Sequence, residues 1–223
     1  MNCFTDSNSH YEQIEKAIRY MDDNFKEQVL WITPKEWREK GKDVCITFGY
    51  GETPFGEALI AYTDKGICYL GFIDNNKELI FSRFQEFWEN ATLVHNDDKA
   101  NEYLENIFIK NKKYNLLVKG TNFQVNVWKA LLNLPNGVVA TYQDMANFLD
   151  KPKSVRAVAS AIGKNHVGYL IPCHRVIAKS GAMSGYRWGI ERKKNLIAYE
   201  SVSKENNLPL GFNYKLNITG VLL

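Results

Sequence analysis

Residues that could do chemistry stand together in the stretch Pro172-Cys173-His174-Arg175, which places a thiol, an imidazole and a guanidinium at consecutive positions. The apolar pairs on either side, Leu170-Ile171 and Val176-Ile177, are typical of buried, extended backbone. A Cys-His pair on its own is more often a packing feature than a reactive one. Three reactive side chains in a row are hard to explain by packing, so the stretch predicts a nucleophilic thiol with a base nearby.

A glycine-punctuated loop follows, from Ser180 to Gly189. Its aromatic residues Tyr186 and Trp188 have flat side chains that suit the wall of a pocket for a flat ligand. The loop therefore favours a reactive reading of the cysteine stretch, because it supplies a place for a substrate next to the thiol.

The cysteine usage limits the other kinds of site. Cys3, Cys45, Cys68 and Cys173 lie far apart and include no Cys-x-x-Cys pair, so the sequence predicts neither a metal site nor a disulfide framework. Reduced thiols are typical of an intracellular protein. No apolar run approaches the roughly 18 residues of a membrane helix, and the polar N-terminus does not resemble a secretory signal. We expect a cytoplasmic protein without a membrane partner.

Basic charge is concentrated around the cysteine stretch. Residues 116–200 contain 12 basic and 4 acidic side chains, whereas residues 41–115 contain 8 and 12. This distribution is expected of a module that contacts phosphates beside a mildly acidic one. A solvated lysine face would produce it too, but the concentration in one half of the chain favours nucleic acid as a partner.

Several motifs of the second half match one known family in residue type and spacing. They are Gly120-Thr121-Asn122-Phe123-Gln124, Val127-Trp128, Pro135-Asn136-Gly137, Thr141-Tyr142, Arg156-Ala157-Val158, Asn165, Ile171-Pro172-Cys173-His174-Arg175-Val176 and Ser184-Gly185-Tyr186. Together they resemble the methylated-DNA–protein cysteine methyltransferases, from about Asp43 to about Glu200. The resemblance implies an α/β (α+β) protein in which a small ribonuclease H-like domain with an antiparallel sheet precedes a winged-helix or helix-turn-helix methyltransferase domain.

The activity implied by the resemblance is DNA repair by a monomer that needs no cofactor. The methyl group of O6-methylguanine in double-stranded DNA, with O4-methylthymine as a second candidate lesion, would pass irreversibly to Cys173. Each protein molecule would be consumed in one turnover.

The same resemblance assigns roles at the reacting centre. Cys173 accepts the methyl group, His174 serves as its base, and Glu200 holds the imidazole in one tautomer. Tyr142 matches the phenol that assists departure of the guanine. Because adjacent side chains of an extended segment point to opposite sides, we expect a water between His174 and the thiol.

Other residues are implied to handle the DNA and the bound base. Arg156 matches the residue that fills the stack left by a flipped nucleotide, on a helix that is implied to enter the minor groove. The remaining residues on the DNA side of this helix are Ala157, Ser160 and Lys164. Asn165 matches a hinge between helix and active-site segment, and the residues expected to line the pocket are Val176, Tyr186, Arg187 and Trp188. Many relatives carry small residues where this chain has Arg187-Trp188, so we expect this pair to crowd the rim against large adducts.

Residues 1–40 are predicted to form a helical extension. Apolar residues recur there at helical spacing from near Ser9, namely Tyr11, Ile14, Ile18, Met21 and Phe25. This helix resembles the first helix of an AraC-type DNA-binding domain, but the operator-reading helices are missing. We interpret the segment as a structural remnant.

Residues 41–115 are predicted to form the α/β scaffold domain. The expected strands are Val44–Phe48, Ala58–Tyr62 and Ile67–Phe72, and Thr63-Asp64-Lys65-Gly66 supplies the turn between the last two. Helices around residues 79–88 and 100–107 and a strand around 114–118 complete the unit.

Residues 116–202 are predicted to form the DNA-binding methyltransferase domain. Thr121-x-x-Gln124 and Thr141-x-x-Asp144 are capping boxes that open two helices. A third helix is expected from about Ser154 to about Lys164, and its tight connection to the second predicts a helix-turn-helix. In this third helix one apolar stripe, Val155, Val158 and Ile162, opposes a face of small residues. Residues 203–223 form a tail of unknown role.

Two other functions compete with repair. A DNA-binding transcriptional regulator of an alkylation response is suggested by the first helix and weakened by the missing operator-reading segment. A cysteine hydrolase would account for Cys173, His174 and Glu200, but it leaves the basic helix-turn-helix and Arg156 without a purpose.

Overall fold

The computed structural model describes residues 29–31, 41–110, 112–183 and 185–205 of the chain. In chain order the elements are β1 (Val29–Trp31), β2 (Cys45–Gly51), β3 (Ala58–Thr63), β4 (Gly66–Phe72), α1 (Lys77–Phe87), β5 (Thr92–His95), α2 (Asp97–Phe108), β6 (Leu116–Val118), α3 (Asn122–Leu132), β7 (Ala140–Thr141), α4 (Tyr142–Phe148), α5 (Val155–Gly163), a 3-10 helix (Cys173–Arg175), β8 (Val176–Ile177) and α6 (Ile190–Glu205). The expected α/β class is confirmed. Within the described ranges, no helix combines the length and apolar character needed to span a bilayer.

A mixed sheet forms the first unit, with strand order β1-β6-β4-β3-β2-β5. The central strands β2, β3 and β4 are antiparallel, as expected, and Thr63 pairs with Gly66 at the predicted hairpin. The outer pairs, β2 with β5, β4 with β6 and β1 with β6, are parallel. β5 and β6 each follow a helix, and helical crossovers produce parallel pairs. The antiparallel prediction therefore holds for the centre of the sheet and was wrong at its edges.

Helix α2 lies very close to strand β2. A Cβ atom added to Gly49 would come within 2.4 Å of the carbonyl oxygen of Asn96, the N-cap residue of α2. Only a glycine leaves room for this approach. The helix is thereby placed to cover the apolar face of the sheet, where Leu104 and Ile107 are buried.

The second unit is helical and begins with the two predicted capping boxes. Thr121 caps α3 and Thr141 caps α4, and in both cases the reciprocal side-chain hydrogen bonds are present. Helices α4 and α5 form the expected helix-turn-helix, with Asp150 in the left-handed region of backbone space (φ 54°) in the connection between them. Val158 and Ile162 of α5 are buried against the unit, whereas Val155 is only partly buried.

Backbone pairing joins the two units directly at the active-site segment. The amide of Leu70, in β4, donates to the carbonyl of His166 (3.0 Å), and the amide of Gly168 donates to the carbonyl of Leu70 (2.8 Å). From α6, Arg192 donates to the carbonyl of Phe55 at 2.8 Å and pairs with Asp74 on the sheet side. The segment that leads to Cys173 is therefore supported by the sheet, and one core of buried side chains runs through both units.

The structure differs from the prediction at three boundaries. Val29–Trp31 was expected in a helical extension, but it is a strand that pairs with β6, so that interpretation was wrong for these residues. Strand β6 belongs to the sheet, so the first unit reaches Val118 rather than residue 115. Helix α6 continues to Glu205, beyond the domain boundary expected at residue 202. The predicted helix from Ser9 and the rest of the tail lie outside the described residues.

Candidate active site

The cysteine stretch forms a 3-10 turn, not the extended segment that the apolar pattern predicted. Residues Cys173–Arg175 make the turn, and the amide of Arg175 donates to the carbonyl of Pro172 at 3.1 Å. Pro172 itself has no amide hydrogen to pair with a neighbouring strand. The turn places three reactive side chains in a buried site, since Cys173 is 7% exposed, His174 0% and Arg175 1%.

The thiol of Cys173 is held in its neutral form. Burial raises the pKa of the Cys173 thiol, and it outweighs the hydrogen bond from Asn165 and the positive charges of Lys193 and Arg187, which all lower it. At neutral pH the sulfur therefore carries its proton, and a base must remove it before the sulfur can act as a nucleophile.

Asn165 connects the end of α5 with the thiol, as its expected hinge role requires. Its side-chain amide is 3.2 Å from the Sγ atom of Cys173 and 3.0 Å from the carbonyl oxygen of Ile171. Its side-chain oxygen accepts from the amide of Val167 at 2.9 Å. Because Asn165 is only 1% exposed, these bonds fix the sulfur relative to the helix.

The imidazole of His174 is paired with Glu200, as predicted. The Nε2 atom of His174 lies 2.9 Å from Oε1 of Glu200. Burial alone would raise the pKa of Glu200, but the charges of Arg175 and His174 and their hydrogen bonds hold it at about 2. Glu200 is thus ionised and can only accept, so Nε2 of His174 carries the hydrogen.

This tautomer leaves the Nδ1 atom of His174 with a lone pair. The atom is buried and has no hydrogen-bond partner among the described residues. Burial, together with the charges of Arg175 and Lys193, lowers the pKa of His174 despite the opposing effect of Glu200, so the ring is neutral at neutral pH. A neutral imidazole with a bare, inward nitrogen is the form required of a general base.

Arg175 belongs to the cysteine motif, but the sequence alone predicted no role for it. The guanidinium donates to both carboxylate oxygens of Glu200, from Nε at 2.8 Å and from Nη2 at 2.7 Å. It also donates to the carbonyl of Leu134 and to the side-chain oxygen of Asn136, in the loop that ends α3. This forked geometry suits arginine and not lysine. Arg175 therefore fixes the carboxylate that fixes His174.

Lys193 was also missed. It is fully buried on α6, and its Nζ atom donates to the carbonyl of Val176 at 2.6 Å. Burial lowers the pKa of Lys193, against the opposing effect of Cys173. A signal for it exists in the sequence, because Lys193 shares the helical face of Leu196 and Glu200, three and seven residues later.

Tyr186 lies beside His174, and Tyr142 lies beside the loop that precedes Tyr186. The ring of Tyr186 is 6.4 Å from that of His174 at 80°, and its buried hydroxyl has no partner among the described residues. The hydroxyl of Tyr142, the first residue of α4, lies 3.9 Å from where a Cβ atom of Gly185 would be. Gly185 has a φ of 59°, a conformation that favours glycine in this loop. Val176 is completely buried behind them.

Trp188 does not form a pocket rim, so that prediction was wrong. The side chain is 1% exposed and packs edge-on against Phe72 of β4 at 6.1 Å and Tyr186 at 5.3 Å. An indole is stabilised by such apolar, edge-on contacts on the buried side of β4. The Nη2 atom of Arg187 donates to the carbonyl of Gly163 at the end of α5 (2.9 Å).

The outward face of helix α5 carries mostly small side chains, as expected. Its outward residues, all exposed, are Arg156, Ala157, Ser160, Gly163 and Lys164, the last being the C-cap residue. A Cβ atom on Gly163 would meet nothing within 4 Å. The small side chains leave the helix backbone accessible to a large partner such as a duplex. Among the described residues, no group of His, Cys, Asp and Glu side chains is arranged to hold a metal ion.

Comparison with known proteins adds independent evidence. Residues 122–202 match the family model described as "6-O-methylguanine DNA methyltransferase, DNA binding domain". The inducible methylated-DNA–protein-cysteine methyltransferase of Bacillus subtilis is 40% identical over 157 residues, which are 67% of this chain and 88% of that protein. The bifunctional transcriptional activator/DNA repair enzyme Ada of Escherichia coli is 32% identical over 208 residues, 91% of this chain. This chain spans about half of Ada, 55% of its length.

A solved structure shares the fold. The crystal structure of Mycobacterium tuberculosis OGT in complex with DNA has a TM-score of 0.57 and 28% sequence identity, and the match covers 70% of this chain and 93% of that one. The fold described above is thus shared, over 70% of this chain, with a protein of known structure.

Proposed function

Because the chain belongs to the methylated-DNA–protein-cysteine methyltransferase family, we propose that it repairs alkylated DNA by transferring the methyl group of O6-methylguanine to the sulfur of Cys173. The observation that supports this most directly is the buried arrangement around that sulfur, with Asn165 3.2 Å from it and the His174–Glu200 pair beside it. O4-methylthymine is a second candidate lesion, since it too carries a methyl group on an exocyclic oxygen of the base.

The first step removes the thiol proton. The Nδ1 atom of His174 has a lone pair, and the proton of Cys173 reaches it through a water molecule. Glu200, ionised beside Nε2, stabilises the imidazolium that results. The Asn165 amide and the charge of Lys193 stabilise the thiolate, because both lower the pKa of Cys173.

The second step is a displacement at carbon. The thiolate attacks the methyl carbon, a C–S bond forms, and the C–O bond breaks with its electron pair going to the guanine oxygen. The phenol of Tyr142, beside the pocket loop at Gly185, donates its proton to the guanine as it leaves. The phenolate then regains a proton from water, and His174 returns the thiol proton to water, so that both side chains end neutral. The product is guanine and S-methylcysteine. Since a thioether is a poor methyl donor, the protein is consumed stoichiometrically and requires no cofactor.

The reacting oxygen lies inside a stacked duplex, so the nucleotide must rotate out of it. Unstacking costs a few kcal/mol, and we propose that the exposed guanidinium of Arg156 offsets part of it by filling the gap. Ala157, Ser160 and Lys164 would line the minor groove, where readout is degenerate. Sequence-independent binding suits a protein that searches for damage, and a relative of known structure has been solved with DNA.

We further propose that a monomer acts on double-stranded DNA and works in the cytoplasm, where its nucleophilic thiol stays reduced. A stretch of 12 basic and 4 acidic side chains in residues 116–200 supports the DNA partner. We assign residues 41–118 to scaffolding, residues 119–202 to methyl transfer and residues 1–28 to a remnant without operator reading.

The decisive experiment uses duplex DNA that carries a radiolabelled O6-methylguanine. After digestion, one label per protein should be found on the peptide that contains Cys173, and the Cys173→Ser variant should bind the duplex but take no label. Label on Cys45 or Cys68, or product beyond one equivalent, would exclude this mechanism. Release of a hydrolysis product would instead support the cysteine hydrolase.

A regulatory function is the second candidate, and one observation favours it. The match to the bifunctional activator Ada covers 91% of this chain, whereas the match to the B. subtilis methyltransferase covers 67%. Sequence-selective binding of the methylated protein to a promoter, in a footprinting experiment, would establish it.

A further inference from the structure

The last carbonyl group of helix α5 accepts a hydrogen bond from a side chain outside the helix. The backbone amides of Lys164 and Asn165 satisfy three of its last four carbonyls, those of Ser160, Ala161 and Ile162. The fourth carbonyl, that of Gly163, accepts from the guanidinium of Arg187 at 2.9 Å. Carbonyls at a helix end need such donors, and a positive charge is favourable there. A side chain of the pocket loop, residues 178–183 and 185–189, thus completes the helix that faces DNA.

The charge of Arg187 also reaches the active site. Although much of the side chain is exposed, its positive charge contributes to lowering the pKa of Cys173 and of the buried His166. Its hydrogen bond to Gly163 holds the guanidinium at the end of α5, so the side chain is tied to the helix although it is exposed.

The neighbours of Arg187 in the chain are both fixed in the molecule. Trp188 is anchored in the sheet against Phe72, and Tyr186 lies edge-on to the ring of His174. The loop is consequently held at two points directly after Tyr186, by Arg187 to helix α5 and by Trp188 to the sheet.

We propose that Arg187 is a positioning residue that sets the distance between the DNA-binding face of α5 and the pocket wall at Tyr186. This inference rests on the proposed function. A flipped nucleotide stays attached to a duplex held on α5 while its base lies against Tyr186, so the two surfaces must be in register. A free alkylated base has no such requirement, because it needs only the pocket.

The test compares wild type with Arg187→Met and Arg187→Lys. Methionine keeps a long unbranched side chain but has no donor for Gly163, whereas lysine keeps one donor and the charge. The readouts are methyl transfer from duplex DNA, methyl transfer from the free O6-methylguanine base, and amide hydrogen exchange of the protein without DNA. Thermal unfolding controls for folding.

We expect Arg187→Met to exchange faster at the amides of Lys164, Asn165 and Gly189. Its rate on duplex should fall by roughly tenfold or more, since small misplacements of bound groups have effects up to about a hundredfold, and the loss on the free base should be several times smaller. Arg187→Lys should recover most of the duplex rate.

Unchanged exchange in Arg187→Met would overturn the link between loop and helix, whatever the rates. Equal losses on duplex and free base would overturn the positioning role and assign Arg187 to the pocket chemistry. A wild type that transfers no methyl group to Cys173 would overturn the proposed function, while the exchange experiment would still decide whether the link exists.

Discussion

The side chain of Arg175 does for Glu200 what Glu200 does for His174. Its guanidinium occupies both carboxylate oxygens and reaches back to the loop after α3 through Leu134 and Asn136. The carboxylate cannot rotate away from the imidazole without breaking these bonds. Only the Nδ1 atom of His174 is therefore left for proton transfer. Arg175 determines this tautomer indirectly, because in the proposed reaction it contacts neither the thiol nor the substrate.

Arg175→Met should destabilise the fold strongly. Removing one partner of a buried ion pair leaves the other charge uncompensated, at a cost of about 3–5 kcal/mol. The double variant Arg175→Met/Glu200→Gln should recover part of this loss, because the stranded charge is gone. Urea unfolding measures both. As a matched control, Lys194→Met breaks the exposed pair with Glu191, whose side chains are 50% and 81% exposed, and should cost less than about 1 kcal/mol.

Trp188→Ala should behave as a core truncation. The side chain is 1% exposed, and removing a buried indole costs about 3–5 kcal/mol through lost transfer energy and the cavity left behind. The free energy of unfolding should therefore fall by this amount. If Trp188→Ala instead kept full stability and reacted selectively faster with O6-benzylguanine, the tryptophan would be a rim residue after all.

At the scale of elements, helix α5 combines two unlike faces. Val158, Ala161 and Ile162 are buried, and the indole nitrogen of Trp128 in α3 donates to the carbonyl of Ala161 at 2.9 Å. The opposite face projects little from the helix, because it carries the small residues Ala157, Ser160 and Gly163. The first face fixes the helix to the protein, and the second leaves it open to a partner.

Ala157→Leu should weaken binding to undamaged duplex, since a bulky side chain would hold the helix backbone away from the groove. We expect an unfolding free energy within about 0.5 kcal/mol of wild type, as is usual for surface changes. Fluorescence anisotropy with labelled duplex measures the affinity. Asn101→Leu, at an exposed position of α2, is the matched control and should bind like wild type. Equal affinity of both variants would remove α5 from the DNA interface.

The whole molecule depends on the contact between its two units, and His166 lies within it. Its ring is 4.2 Å from that of Phe87 in α1 and 5.3 Å from that of Trp128 in α3. Burial, aided by the charges of Arg187 and Lys119, lowers the pKa of His166 to about 3. Below pH 6.5 His166 is therefore protonated in the unfolded chain but stays neutral in the folded protein. The contribution of His166 to the free energy of unfolding is complete above pH 6.5 and is lost as the pH falls towards 3.

His166→Phe should flatten the acid side of the stability curve. The variant takes up one proton fewer on unfolding, which changes the slope of the free energy of unfolding against pH by about 1.4 kcal/mol per pH unit. Phenylalanine keeps an aromatic ring between Phe87 and Trp128. Urea unfolding between pH 7.5 and pH 4.5, values about one to two units either side of an ordinary histidine pKa, measures the slope. The two proteins should run parallel above pH 6.5. Parallel curves over the whole range would show that His166 is not a neutral, buried group.

Two truncations separate the strand β1 from the chain before it. Deleting residues 1–27 keeps β1, whereas deleting residues 1–40 removes its three pairs with β6. We expect the first to leave methyl transfer and stability largely intact and the second to lower the melting temperature by several degrees, on the order of 1 kcal/mol of stability. Loss of methyl transfer in the shorter deletion would show that residues 1–27 do more than support the fold.

Local features of this protein could be read from its sequence. The hairpin at Thr63-Asp64-Lys65-Gly66 and the capping boxes at Thr121 and Thr141 depend on groups within a few residues of one another, and all three are present. The motifs between Gly120 and Tyr186 together predicted the family, and the family resemblance implied the pair of His174 and Glu200. Helical periodicity alone placed Glu200 on a face that could turn inward.

Features that join distant parts of the chain were decided only by the tertiary structure. The apolar pattern around Cys173 predicted extended backbone, but Pro172 and the pairing of Leu70 with the segment at Val167 turn it into a 3-10 helix. Trp188 has a flat aromatic side chain of the kind that lines pockets, but it is buried because it packs against Phe72 of β4. Arg175 and Arg187 find their acceptors 25 and 24 residues away. Pattern and propensity report on neighbours along the chain, whereas these roles depend on which surfaces the fold brings together.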